Sequence, residues 1–212
     1  MDTYLIKQIV QLGVPIFGTD MRNKKDSSSC MFDPRLLMSV PDILHHVGKQ
    51  FAQIIAEKCE GTALMGIATG GIPWAITASM YSGLPALYIR KELERHMSKK
   101  HIEGIPPKEK TVILVDDLLY RGNSKNKTLV LLKEHGYTVK DILLVIDRQI
   151  QRKDDGPSLQ EKWGVRLHSL VTMDEIVQYM IETQTITDEQ LERLRADYQK
   201  YERWDIPSFA RP

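Results

Sequence analysis

Residues 112–124, Val-Ile-Leu-Val-Asp-Asp-Leu-Leu-Tyr-Arg-Gly-Asn-Ser, decide the fold. Thr111 to Val115 is an unbroken β-branched and leucine run, the pattern of a strand buried on both faces, and it ends abruptly at Asp116-Asp117. Ser124 to His135 has helical spacing and closes on Gly136; Ile142 to Ile146 is a second buried strand. Strand, helix and strand with short links form a βαβ unit, hence a parallel sheet with a right-handed crossover. Ligands of such sheets bind beyond the carboxyl ends of the strands, where the two aspartates fall. Adjacent carboxylates there need partners, which sugar hydroxyls or a metal-bearing polyphosphate would supply. The Leu118–Ser124 loop runs into a helix N-terminus, where exposed amides and the helix dipole cradle a phosphate.

Outward from this segment, Gly61 to Ile89 carries no charged residue. Its length raises a transmembrane helix, but Gly70-Gly71, Pro73 and Gly83-Leu84-Pro85 interrupt it. It reads as strand Ala63–Ile67, helix Pro73–Ser82 and strand Pro85–Ile89, so no membrane association is expected. Upstream, Ser39 is a candidate N-cap for a helix through Ile55 that Gly61 closes. Downstream, Met173 to Trp204 reads as two amphipathic helices, the second capped by Thr187 with Glu189-Gln190 following. The polar stretch Lys91 to Lys110 is long for a connection in a compact domain, which marks it as functional or mobile.

Composition bounds the rest. The chain has 212 residues, 42% hydrophobic, and a formal net charge of +1. That supports one core and argues against a nucleic-acid-binding chain, which carries a basic excess. Cys30 and Cys59 form no C-x-x-C pair, which excludes a disulfide framework and a cysteine zinc site. No secretory signal is visible, so a cytoplasmic protein is expected. The expected organisation is a single α/β domain over 1–212, with an N-terminal segment (1–40), an α/β core (41–172) and C-terminal helices (173–212). His45 and His46 read as solvated helix residues, Lys99 and Lys100 as surface charge, and Trp74 and Leu129 to Leu132 as core.

The 112–124 segment resembles the phosphoribosyl-pyrophosphate signature of type I phosphoribosyltransferases: two acidic residues, then a glycine-containing phosphate loop. Gly66 to Pro73 resembles the family's pyrophosphate-side loop. Tyr88-Ile89-Arg90-Lys91, His96, Ile102-Glu103-Gly104, Ile146 to Gln149, Asp33-Pro34-Arg35 and Ser39-Val40-Pro41 are similar to the orotate phosphoribosyltransferase branch. The resemblance implies a mostly parallel sheet flanked by helices, with a small N-terminal hood and C-terminal helices. It implies transfer of 5-phosphoribosyl from phosphoribosyl pyrophosphate to orotate, with Mg2+ held mainly by substrate oxygens rather than by protein ligands. Asp116 and Asp117 would hold the ribose hydroxyls. Leu118, Leu119, Tyr120, Arg121, Gly122, Asn123 and Ser124 would take the 5′-phosphate, and Thr69, Gly70 and Gly71 the pyrophosphate. Arg90, Lys91 and His96 would close over the site, and Arg148 would suit a pyrimidine carboxylate. The branch also implies a homodimer with shared active sites.

The sequence departs from the pattern in three respects. Tyr120 and Asn123 replace a hydroxyl-bearing and a small residue in the phosphate loop. Glu94 stands where the family's mobile loop has a lysine. The family's Lys-Ser-Gly base-contact segment has its nearest match around Lys25. These departures leave open transfer to another base, or a phosphoribosyl-pyrophosphate- or nucleotide-binding regulator without turnover.

Overall fold

The computed structural model describes residues 1–17, 30–90, 101–151, 156–199 and 203–204. Its centre is a six-stranded sheet built from β3 (Ala63–Ile67), β4 (Ala86–Ile89), β5 (Ile102–Glu103), β6 (Thr111–Leu119), β7 (Thr138–Asp147) and β9 (Arg166–Thr172), in the order β5-β4-β3-β6-β7-β9. All neighbours are parallel except β4 and β5, which pair antiparallel through Tyr88–Glu103 and Ile89–Ile102. Two short antiparallel ribbons flank it: β1 (Pro15–Phe17) with β2 (Cys30–Phe32), and β8 (Ile150–Gln151) with β10 (Arg203–Trp204).

Alternation along the strands divides the core in two. Leu64, Ile113, Val115, Leu143 and Val145 face one side, where α1 (Thr3–Gln11), α2 (Pro41–Lys58), α3 (Gly71–Ser82) and α6 (Met173–Glu182) cover them. Met65, Val112, Leu114, Ile142 and Leu144 face the other, beneath Leu129 and Leu132 of α4 (Asn123–Glu134). Trp74 is fully buried, as expected. Of the run Leu129 to Leu132, Leu129 and Leu132 are buried while Val130 is exposed, because the helix turns its outer face to solvent.

Several boundaries differ from the sequence reading. β6 does not stop at Val115: it carries Asp116 and Asp117 through to Leu119, because β7 continues to pair with it as far as Leu119–Asp147. Pro34–Ser39 forms a 3-10 helix, so the residue flanking α2 is Val40 rather than Ser39. His45 and His46 are partnered, not merely solvated: His45 meets the Tyr81 hydroxyl and His46 the Asp2 carboxylate, tying α2 to α3 and to the start of α1. The second C-terminal helix, α7 (Asp188–Tyr198), carries the expected Thr187 cap, reciprocated by Gln190. No helix among the described residues is long and apolar enough to cross a membrane; the uncharged 61–89 stretch is β3, α3 and β4.

At the amino ends of β7 and β9 a polar knot closes the sheet. The buried Asp141 carboxylate accepts from Arg166 Nε and Nη2, His168 Nε2 and the Glu60 N–H, each at 2.8 Å. Burial pushes its acidity down, yet the guanidinium, the amide and the imidazole overcome this and hold its pKa below the ordinary carboxylate value. A depressed carboxylate stabilises above its unfolded pKa and stops doing so as pH falls through the folded one. Asp141→Asn is therefore expected to lose about 3 kcal/mol at pH 7. The gap to wild type narrows in acid, as denaturant unfolding at pH 7 and pH 3 would show.

Candidate active site

β3 leads through α3 to β4 on one side, and β6 leads through α4 to β7 on the other. Strand order thus runs outward in opposite directions from the adjacent parallel strands β3 and β6, and ligands of open α/β sheets bind in the crevice at such a switch point. Both helices that start there lack a side-chain cap. Their first-turn N–H groups have no intrahelical acceptor and carry the positive end of the helix dipole. Two anion-receptive helix starts thus flank the carboxyl ends of two neighbouring strands.

The sequence-predicted loops come together here. The turn 68–70 between β3 and α3 packs directly on the end of β6. A Cβ on Gly71 would overlap the Val115 carbonyl oxygen, and one on Gly70 would overlap the Asp117 carboxylate. Only glycines let the two loops approach this closely. In the other loop, Tyr120 and Arg121 lead to Gly122, which holds φ +74° and would press a Cβ against Leu159 at 3.2 Å. This left-handed residue turns the strand into α4, leaving Asn123 and Ser124 exposed on its first turn.

The two aspartates have different surroundings. Asp116 is 5% exposed and forms an ion pair at 2.5 Å with Lys125, itself 4% exposed. The other Asp116 oxygen accepts the Asp117 N–H at 3.0 Å, and Lys125 also donates to the Leu118 carbonyl. The Asp117 carboxylate has no cation paired with it among the described residues. Burial, then the negative Asp116, push its pKa up to about 6, against the pull of Lys125 and the Leu118 amide. A carboxylate poised near neutrality in a crevice is characteristic of a functional site.

Arg148 follows β7, and its N–H donates to the Leu119 carbonyl at 3.0 Å. It is 4% exposed, with its guanidinium against the rings of Tyr120 and Phe32. At the far edge, Arg90 forms an ion pair at 3.1 Å with Glu103, at the stem of the 91–100 segment. Lys91, Glu94, His96 and Lys25 lie outside the described residues. Asp33 grips Arg35 through two side-chain bonds of 2.6 and 2.9 Å, and the Arg35 charge feels the field of Asp117.

The sequence reading assigned no role to Lys125, Phe32 or Arg35. Lys125 had a usable signal, a cation one turn into the helix that follows two aspartates. Phe32 had none, because it reaches the site from a separate ribbon. The one group of three ligating side chains among the described residues is Cys59, Asp141 and His168, in the knot at the opposite end of the sheet. Its carboxylate is occupied by Arg166, so it is no metal centre.

Comparison with known proteins agrees with this geometry. Residues 37–178 match the phosphoribosyl transferase domain family. An orotate phosphoribosyltransferase of Aeropyrum pernix is 31% identical over 82% of this chain and 91% of its own length. That of Methanocella arvoryzae is 31% identical over 84% of this chain and 99% of its own. The crystal structure of the Aeropyrum pernix enzyme superposes with a TM-score of 0.69 at 28% identity, covering 84% of this chain and 98% of that one. A Leishmania donovani UMP synthase structure shares the fold, with a TM-score of 0.78 at 24% identity over 92% of this chain and 42% of that one. A switch-point crevice with paired helix starts, a glycine loop packed on an acidic strand end, and this match across most of its length together make the chain a member of the phosphoribosyltransferase family, in its orotate phosphoribosyltransferase branch.

Proposed function

We propose that the chain transfers 5-phosphoribosyl from phosphoribosyl pyrophosphate to orotate, giving orotidine 5′-monophosphate and pyrophosphate. The observation that carries this reading is Asp117, an elevated carboxylate set between two uncapped helix starts at the switch point. The α4 start, through the Asn123 and Ser124 amides behind Gly122, takes the 5′-phosphate. The α3 start, through Thr69, Gly70 and Gly71, takes the pyrophosphate. Asp117 accepts from the ribose hydroxyls, and Asp116, neutralised by Lys125, holds the strand end that presents it.

As the bond from C1′ to the pyrophosphate oxygen breaks, positive charge grows on the ribose and is stabilised by the nearby carboxylate. A ring nitrogen of the base then bonds to C1′, the electron pair of the broken C1′–O bond leaves on pyrophosphate, and the proton of the ring N–H passes to that leaving group. Arg90 would release Glu103 to meet that charge, together with Lys91 and His96 of the following segment. Glu94 in that segment adds a negative charge, which neighbouring Arg95 would offset. Arg148 would read the orotate carboxylate, with Lys25 on the base side. Mg2+ fits as an ion carried by the substrate's own oxygens, with Asp117 the carboxylate at hand; when bound it neutralises pyrophosphate charge.

The exposed apolar side chains Ile76, Met80 and Tyr81 on α3 support a homodimer through that face. Cys30 and Cys59 are not joined in a disulfide, which suits a cytoplasmic setting. Calorimetric titration separates an enzyme from a regulator. With magnesium, phosphoribosyl pyrophosphate is expected to bind at one site per chain, and adding orotate is expected to produce a sustained heat of reaction. Binding with no heat from orotate would leave a regulator.

A further inference from the structure

The surroundings of Arg148 carry more than the family role implies. Its guanidinium carbon stands 4.6 Å from the centroid of the Tyr120 ring and 5.1 Å from that of Phe32. Its backbone is fixed on both sides as well: the N–H donates to Leu119, and the carbonyl accepts from the fully buried Tyr198 hydroxyl at 3.3 Å. Three separate parts of the fold therefore converge on one arginine: the β1–β2 ribbon, the loop after β6, and the end of α7. Aromatic rings attract a guanidinium through its face, more strongly where water is excluded. Recognition then runs through the coplanar N–H groups at its edge, whose fork matches two oxygens lying in one plane.

Tyr120 is the member of this group that also belongs to the reaction loop. It sits three residues beyond Asp117 and two before Gly122, so it joins the ribose and phosphate contacts to the arginine. We propose that Tyr120 is a positioning residue that sets acceptor specificity: its ring, with Phe32, pins Arg148 so that the site selects a planar base carrying a carboxylate. The proposal rests on the reading of Arg148 as the acceptor-side cation. It gives the bulky residue in the phosphate loop a purpose. A short hydroxyl-bearing side chain at 120 would remove one of the two rings that face the guanidinium.

Orotidine 5′-monophosphate and uridine 5′-monophosphate differ only by the carboxylate, so their affinities for one protein isolate its recognition. Calorimetry on the wild-type chain, Tyr120→Thr and Tyr120→Phe is the test. The wild type is expected to prefer the carboxylated nucleotide by at least about tenfold, about 1.4 kcal/mol. Tyr120→Thr is expected to bring the ratio below about threefold, and Tyr120→Phe to restore it. A wild type without preference, or a Tyr120→Thr variant with an unchanged ratio or an equal loss for both nucleotides, overturns the proposal. Turnover of orotate is scored separately on the wild type. Turnover with an unaffected ratio in Tyr120→Thr removes the clamp and leaves the enzyme. A ratio that collapses in a chain that never turns over orotate removes the proposed reaction and leaves the clamp.

Discussion

Asp117→Asn is expected to melt several degrees above the wild type at pH 7 and to lose at least about 100-fold in transfer rate. The two effects have one cause. In the folded chain, burial and the neighbouring Asp116 push the Asp117 pKa from 3.8 up to about 6. An acid whose pKa rises on folding binds its proton more tightly in the folded state. Its contribution is thus most favourable below about pH 4, falls between 4 and 6, and levels off above 6 as a penalty of up to about 3 kcal/mol. Asparagine keeps the shape and removes the charge, so it relieves that penalty. It also removes the group that stabilises the growing positive charge on the ribose. Thermal melts at pH 4 and pH 7.5, run beside rate measurements, check both halves. A variant that melts no higher than wild type at pH 7.5, or that keeps its rate, contradicts the assignment.

Lys125→Met is expected to cost about 3–5 kcal/mol of stability, because it leaves the Asp116 carboxylate buried without its counter-ion. The substitution also strips the donor from the Leu118 carbonyl and removes the cation that restrains the Asp117 pKa. Asp116→Asn combined with Lys125→Met is expected to recover much of the loss, since no charge is then stranded. Urea unfolding of the two single variants and the double variant yields the coupling directly. Additive losses would mean that the pair contributes nothing as a pair.

The sheet was legible because its central strands are unbroken apolar runs, and a parallel strand buried on both faces has no other way to look. The ends of elements were harder. Asp116 and Asp117 look like a strand terminus by hydropathy, yet the ladder with β7 extends past them, since backbone pairing is indifferent to side-chain charge. β9 escaped notice because only Val171 in it is fully buried: at the sheet's edge, Arg166 and His168 serve the Asp141 knot. The two loops of the site were readable from glycines followed by a helix start, which are local signals. Lys125 on Asp116 and the rings on Arg148 arise from packing between separate elements, and spacing along the chain does not encode them.

This crevice is expected to make orotidine 5′-monophosphate. The most direct measurement follows orotate absorbance in the presence of phosphoribosyl pyrophosphate and magnesium, with released pyrophosphate counted in parallel. Orotate is expected to disappear and pyrophosphate to appear in equal amounts, with no release when the base is omitted. Unchanged orotate, or pyrophosphate release that is independent of orotate, would contradict it.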